Sequence, residues 1–131
     1  MSTIKLFVTK QSIICLDGKY GHRFESKPSI TIGEGSIITD VGGANSRDCG
    51  IVYWPINLLP MSDENSLMFI KILQHSLREL YSLRKGWWSK FFTLSPILEV
   101  HLSTDLISLE TWFHTNANEL GVRAIKFVHS D

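Results

Sequence analysis

Nine residues, Arg84-Lys85-Gly86-Trp87-Trp88-Ser89-Lys90-Phe91-Phe92, hold four large aromatic rings and three cations between an expected helix end and an expected strand. The chemistry of such a set is docking rather than bond-making. Each large ring buries roughly 150–250 Å² when covered, so the segment must pack on its own core, seat on a partner, or enter a lipid interface. Tryptophan at the headgroup level with Lys or Arg beside anionic lipid is how interfacial segments hold, each nearby cation contributing about 1 kcal/mol. On that reading Arg84, Lys85 and Lys90 face phosphates while Trp87, Trp88, Phe91 and Phe92 enter the lipid. On the plainer reading the rings fold back and cap a sheet edge, and the residues alone leave both open.

A second stretch, Asp40-Val41-Gly42-Gly43-Ala44-Asn45-Ser46, has the small, glycine-rich character with which backbone N–H groups are presented to a phosphate. Its place, after a run of expected strands rather than at a first hairpin, favours an ordinary turn. Gly33-Glu34-Gly35 has no following helix and is weaker still. The histidines, His22, His75, His101, His114 and His129, show no paired ligand spacing, and no Cys or carboxylate cluster completes a zinc set. Asp17, Glu25, Asp40 and Asp105 fall in turns and caps, where such residues serve the backbone by default. No catalytic, cofactor-binding or metal-binding residue is nominated, and no enzyme activity is expected.

Composition narrows the classes further. At 131 residues, 44% hydrophobic and 20% charged, the chain fits one domain over 1–131 with a real core. Thirteen basic and thirteen acidic side chains cancel, which disfavours nucleic acid as a partner. Cys15 and Cys49 make neither a metal spacing nor a disulfide scaffold, and no cationic and apolar leader opens the chain. A cytoplasmic protein with reduced thiols is expected. No apolar run approaches the ~20 residues of a membrane span, so any membrane contact is peripheral.

The elements that must position these residues fall into two halves. Apolar and β-branched clusters at Ile4–Val8 and Ser12–Leu16, then turn chemistry at Asp17–Gly21 before Arg23–Glu25, read as an antiparallel β meander, and Ser29–Ile32, Ser36–Thr39 and Ile51–Pro55 read as further extended runs. From Ser62 the period changes. Ser62 is placed as an N-cap, and Phe69, Ile70, Leu73, Leu77, Leu80 and Tyr81 form a helical stripe to about Leu83. Leu67, Met68, Ile72 and Leu83 lie off that stripe and suit either a wrapped core or a partner face. Ile97–Leu102 reads as a strand. Ser103-Thr104-Asp105 caps a second helix bearing Leu106, Leu109, Phe113, Ala117 and Leu120 on one face, with Gly121 at its end, and Val122–Val128 is a last strand. The expected class is mixed α/β: a β meander followed by α-β-α-β, with parallel strands in the second half.

Several motifs, in this order, resemble the bacterial actin homologue MreB over its first subdomain. Pro28-Ser29-Ile30-Thr31-Ile32 resembles that family's P-S-V-V-A-I strand, Val41-Gly42 its A-V-G turn, and Leu94-Ser95-Pro96-Ile97-Leu98-Glu99-Val100 its R-P-S-P-R-V-x-V strand entry. Leu109-Glu110 with Asn118-Glu119-Leu120-Gly121-Val122-Arg123-Ala124-Ile125-Lys126-Phe127 is similar to its V-E-R-R helix running into G-A-G-A-R-E-V-F-L. The resemblance implies a single subdomain of the actin/ribonuclease H-like type. It covers nearly all of this chain and about the first third of a full MreB.

The chain also departs from that pattern. Where the family opens with the phosphate loop I-D-L-G-T-A-N-T, this chain has Leu6-Phe7-Val8-Thr9-Lys10-Gln11-Ser12, without the Asp or the Gly. The family's catalytic Glu and second phosphate loop have no counterpart here, so no cofactor is expected. The resemblance places the aromatic segment where MreB inserts hydrophobic residues into the cytoplasmic membrane. A non-catalytic interaction module linked to cell shape or the cytoskeleton follows, with MreB, a second copy or an anionic membrane surface as its partner, at the inner face of the membrane. The rival expectation is a small immunity or inhibitor protein that neutralises a toxin or enzyme by binding it.

Overall fold

In the computed structural model the described residues are 3–18, 21–43, 50–83 and 96–128. The chain runs β1 (Thr3–Val8), β2 (Ile13–Asp17), β3 (Arg23–Ser26), β4 (Ile30–Ile32), β5 (Ile38–Val41), β6 (Ile51–Tyr53), α1 (Asp63–Ser82), β7 (Ile97–Leu102), α2 (Leu109–Thr115) and β8 (Ala124–Phe127). Five strands form one mixed sheet in the order β3-β2-β1-β7-β8. β1 pairs antiparallel with β2 and parallel with β7, which pairs parallel with β8.

Period-two alternation fixes which face of this sheet is covered. Ile4, Leu6 and Val8 of β1, Ile13 and Cys15 of β2, and Leu98 and Val100 of β7 are all buried. Both helices lie over them, since Phe69 of α1 has its ring 6.1 Å from that of Phe113 of α2 and 4.8 Å from that of Trp112. α1 forms for the reasons its sequence announces. The Ser62 hydroxyl accepts from Asn65 N at 3.1 Å, Asp63 and Glu64 occupy the positive end of the helix dipole, and Phe69, Leu73, Leu77 and Leu80 are buried on one stripe.

The meander expected over Ile4–Glu25 is present as β1-β2-β3, while two further expectations need correction. The strands after Pro28 do not extend that meander: β4, β5 and β6 make a separate antiparallel sheet in the order β5-β4-β6. Pro28 interrupts pairing after β3, and the chain turns there through Lys27 N to Gly42 O (2.7 Å) and Gly42 N to Ser29 O (2.8 Å). The second helix is also shorter than expected. Thr104–Leu106 is a single 3₁₀ turn, α2 covers Leu109–Thr115, and residues 116–121 are turns. The Ser103 hydroxyl donates to Asp105 Oδ1 (2.7 Å) rather than capping a backbone amide. At the other end Trp112 O accepts from both Asn116 N (3.0 Å) and the Asn116 side-chain amide (2.8 Å), and the helix stops there. The expected apolar face survives these breaks, with Leu106, Leu109, Phe113 and Leu120 buried. Gly121 sits at φ +68 where a left-handed residue was expected.

Candidate functional site

All seven residues singled out for docking, Arg84, Lys85, Trp87, Trp88, Lys90, Phe91 and Phe92, lie outside the described residues. The structure gives the positions from which they depart. Leu83, 42% exposed, ends α1 with its N–H bonded to Leu80 O. The chain returns at Pro96, whose carbonyl accepts from Arg123 N at 2.9 Å. Ile97 then enters β7 beside Thr3 of β1 and Ala124 of β8, so the return is at the end of the sheet where its parallel strands begin.

At the opposite end of the sheet the β1–β2 turn is closed by its own side chains. Thr9 Oγ1 accepts from Gln11 N (3.2 Å) and Ser12 N (3.0 Å), and Thr9 N donates to Ser12 O (2.9 Å). The Thr9, Gln11 and Ser12 amides are therefore engaged within the turn. Ser103 N donates to Val8 O (3.1 Å), and Lys10 Nζ lies 3.8 Å from Asp105 Oδ2, which ties the β1 and β7 ends together. Hydrogen bonding from Ser103, with the nearby Lys10 charge, holds the Asp105 carboxyl below the usual range.

The Asp40–Ser46 stretch is described as far as Gly43. Gly42 N is taken by Ser29 O, and Gly43 N donates to Asp40 Oδ2 at 3.0 Å. The glycines are required by packing: Gly42 has φ +81, and a Cβ there would meet Ser26 Cβ at 2.9 Å. Residues 44–46 lie outside the described residues.

One arrangement escaped the sequence reading. On the sheet face away from the helices, Phe7 and His101 stack with ring centroids 4.4 Å apart, and His101 Nε2 lies 2.9 Å from Glu99 Oε2. Register puts Glu99 between Lys5 and Lys126. The His101 hydrogen bond, then the Lys5, His101 and Lys126 charges, hold the Glu99 carboxyl below its ordinary range. The local signal was the Glu99-Val100-His101 spacing, which puts both side chains on one strand face; the Phe7 and Lys5 neighbours depend on pairing across 94 residues of sequence, and Lys126 on pairing across 27. Among the described residues no group of three His, Cys, Asp or Glu side chains could hold a metal ion. Of the residues off the α1 stripe, Ile72 is fully buried, Met68 packs against the core, and Leu67 and Leu83 are exposed. Leu67 borders a shallow groove of about 520 Å³ between α1 and the turn holding Asn116 and Glu119.

No helix among the described residues is long and apolar enough to cross a membrane. No family model and no curated protein matches this sequence. Solved structures do match. A non-polymerising mutant of MamK bound to AMPPNP aligns with a TM-score of 0.67 at 14% identity, over 98% of this chain and 40% of its own. A MamK double helical filament aligns at 0.70 and 10% identity, over 98% and 40%. MreB5 of Spiroplasma citri bound to AMPPNP aligns at 0.64 and 14% identity, over 98% and 38%. The chain thus spans about two fifths of the length of the proteins it matches. At these identities the likeness shows the fold alone, and that fold is a single subdomain of the actin-like type.

Proposed function

We propose that this chain works by contact: an actin-like subdomain without nucleotide chemistry of its own, which seats on the inner face of the cytoplasmic membrane through Arg84, Lys85, Trp87, Trp88, Lys90, Phe91 and Phe92. A cytoskeletal partner of the MreB kind is the context that the shared fold suggests. The observation that carries the reading is the β1–β2 turn. By the resemblance it stands where an actin-type phosphate loop would be, and its Gln11 and Ser12 amides donate to Thr9 Oγ1. The chain that follows the aromatic segment re-enters the described residues at Pro96, at the far end of the sheet from that turn.

The test is co-sedimentation with anionic and neutral vesicles, read together with tryptophan emission. Binding to anionic vesicles with a blue shift is expected, and a variant with Trp87, Trp88, Phe91 and Phe92 all changed to Ser should lose both. A folded variant that binds as well as the parent overturns the membrane reading, as does an unbound parent whose emission is already blue. Calorimetric titration with Mg·ATP is expected to be flat. Saturable binding would overturn the claim of no nucleotide chemistry.

A further inference from the structure

Four strand edges bound the two sheets among the described residues, and three carry a device that discourages pairing with another chain. β3 presents Arg23 and Glu25, ion-paired at 2.6 Å. β8 carries Lys126. β5 carries Asp40, and a register shift interrupts its pairing with β4. The fourth edge, β6, reads Ile51-Val52-Tyr53, has no charge, and pairs with β4 in unbroken register. Its alternate side chains stand in water, Ile51 at 63% and Tyr53 at 38% exposure. They extend rows already begun across the sheet: Ile51 lies beside Ile32 and Ile38, and Tyr53 beside Ile30 and Val41.

We infer that the outer edge of β6 is a self-association surface, where a second copy of this chain adds its own β6 antiparallel about a two-fold axis through Val52. Among the described residues no strand pairs with the outer edge of β6, and such an edge offers backbone donors and acceptors in the pattern that another strand satisfies. The segment is also self-complementary. With Val52 opposite the partner's Val52, Ile51 faces the partner's Tyr53, and Tyr53 faces the partner's Ile51. Aliphatic–aromatic pairs of this kind are favourable across antiparallel strands. A charged occupant finds no counter-charge on β6, which argues for a copy of the same apolar segment. The pairing also closes on itself. The six-stranded sheet it creates ends at two β5 edges, each with Asp40 and an irregular register, so addition stops at the dimer. Three residues per strand make a small interface and a weak, concentration-dependent dimer. This inference is independent of the membrane reading, because it uses neither the aromatic segment nor its end of the large sheet.

Sedimentation velocity over a concentration series tests it with three proteins: the parent, the Ile51→Lys/Tyr53→Lys variant, and the Ile51→Lys/Tyr53→Glu variant. The parent is expected to show a reversible monomer–dimer equilibrium. Lys at both positions sets like charges opposite one another twice, and the dimer should weaken about tenfold or more. The Lys/Glu variant sets Lys opposite the partner's Glu twice, and dimerisation should return at low salt. Since both sites are exposed, each variant should keep the parent's circular dichroism. A parent that stays monomeric at the highest concentration overturns the proposal. So does a Lys/Lys variant that dimerises as tightly as the parent, or a Lys/Glu variant that fails as badly as the Lys/Lys one, which would exclude the register. Binding of a monomeric parent to neutral vesicles, lost in the Lys/Lys variant, would instead assign these side chains to lipid.

Discussion

Ser26 at the end of β3 and Ser76 in the middle of α1 face each other with their hydroxyl oxygens 3.0 Å apart, and the Ser76 hydroxyl also donates to Ile72 O at 3.0 Å. Ser76 has one proton, and Ile72 takes it, so Ser26 is the donor of the pair. Two small polar residues thus join α1 to the edge strand β3. Ser76→Ala would strand the Ser26 hydroxyl without its acceptor, and a loss of about 1–2 kcal/mol in urea unfolding is expected. Ser26→Ala removes only the donor and should cost less. Ser76→Leu would overfill the contact, at about 1–3 kcal/mol.

Gly42 and Gly121 share a left-handed backbone but differ in their surroundings. Gly42 is backed by Ser26 Cβ, 2.9 Å from where its own Cβ would sit, while Gly121 has nothing within 4 Å. Gly121→Ala should cost only the conformational penalty, about 1 kcal/mol. Gly42→Ala adds a collision with the end of β3 and should cost about 2 kcal/mol or more. Equal unfolding free energies for the two variants would contradict this account of how the small sheet is pinned.

Glu99 supplies a pH signature. Its folded-state carboxyl is held below its unfolded value, so its contribution is complete above the unfolded glutamate range and is lost as pH falls through the folded value. The stability gap between the parent and Glu99→Gln should therefore be widest near neutral pH and shrink on acidification. A gap that stays constant from neutral to acid pH would show that the His101 and lysine neighbours do not hold the charge.

The Cys15 thiol is fully buried, and burial pushes its pKa up to about 12. In a Cys49→Ser background it should resist thiol reagents at neutral pH and react only as fast as the protein opens. Rapid labelling of the native protein would place Cys15 outside the core.

α1 was legible because its signals agree: a serine cap, an acidic first turn and one apolar stripe ending near Leu83. The second helix was legible as a face but not as a continuous rod. Burial of Leu106, Leu109, Phe113 and Leu120 follows from spacing, whereas the 3₁₀ turn at Thr104–Leu106, the start of α2 at Leu109 and its end at Thr115 leave no mark in that spacing. The split into two sheets turned on hydrogen bonds around Gly42, a residue read only as part of an ordinary glycine-rich turn. The surroundings of Glu99 were out of reach of local pattern, since they come from strands distant in sequence. The docking segment was legible only as a composition, and its seven residues fall outside those described.

The position of β1 between β2 and β7 has a consequence for how the chain is made. Its first strand is completed on one side by a neighbouring hairpin but on the other by β7, with Leu6 meeting Val100. On a ribosome, the front of the chain emerges with an apolar strand whose second partner is still untranslated. At about 5–20 residues per second that wait lasts on the order of ten seconds, during which the parallel side of β1 is available to other chains. Chaperone dependence during synthesis, and slow refolding set by this long-range pairing rather than by the helices, follow from the order of the strands.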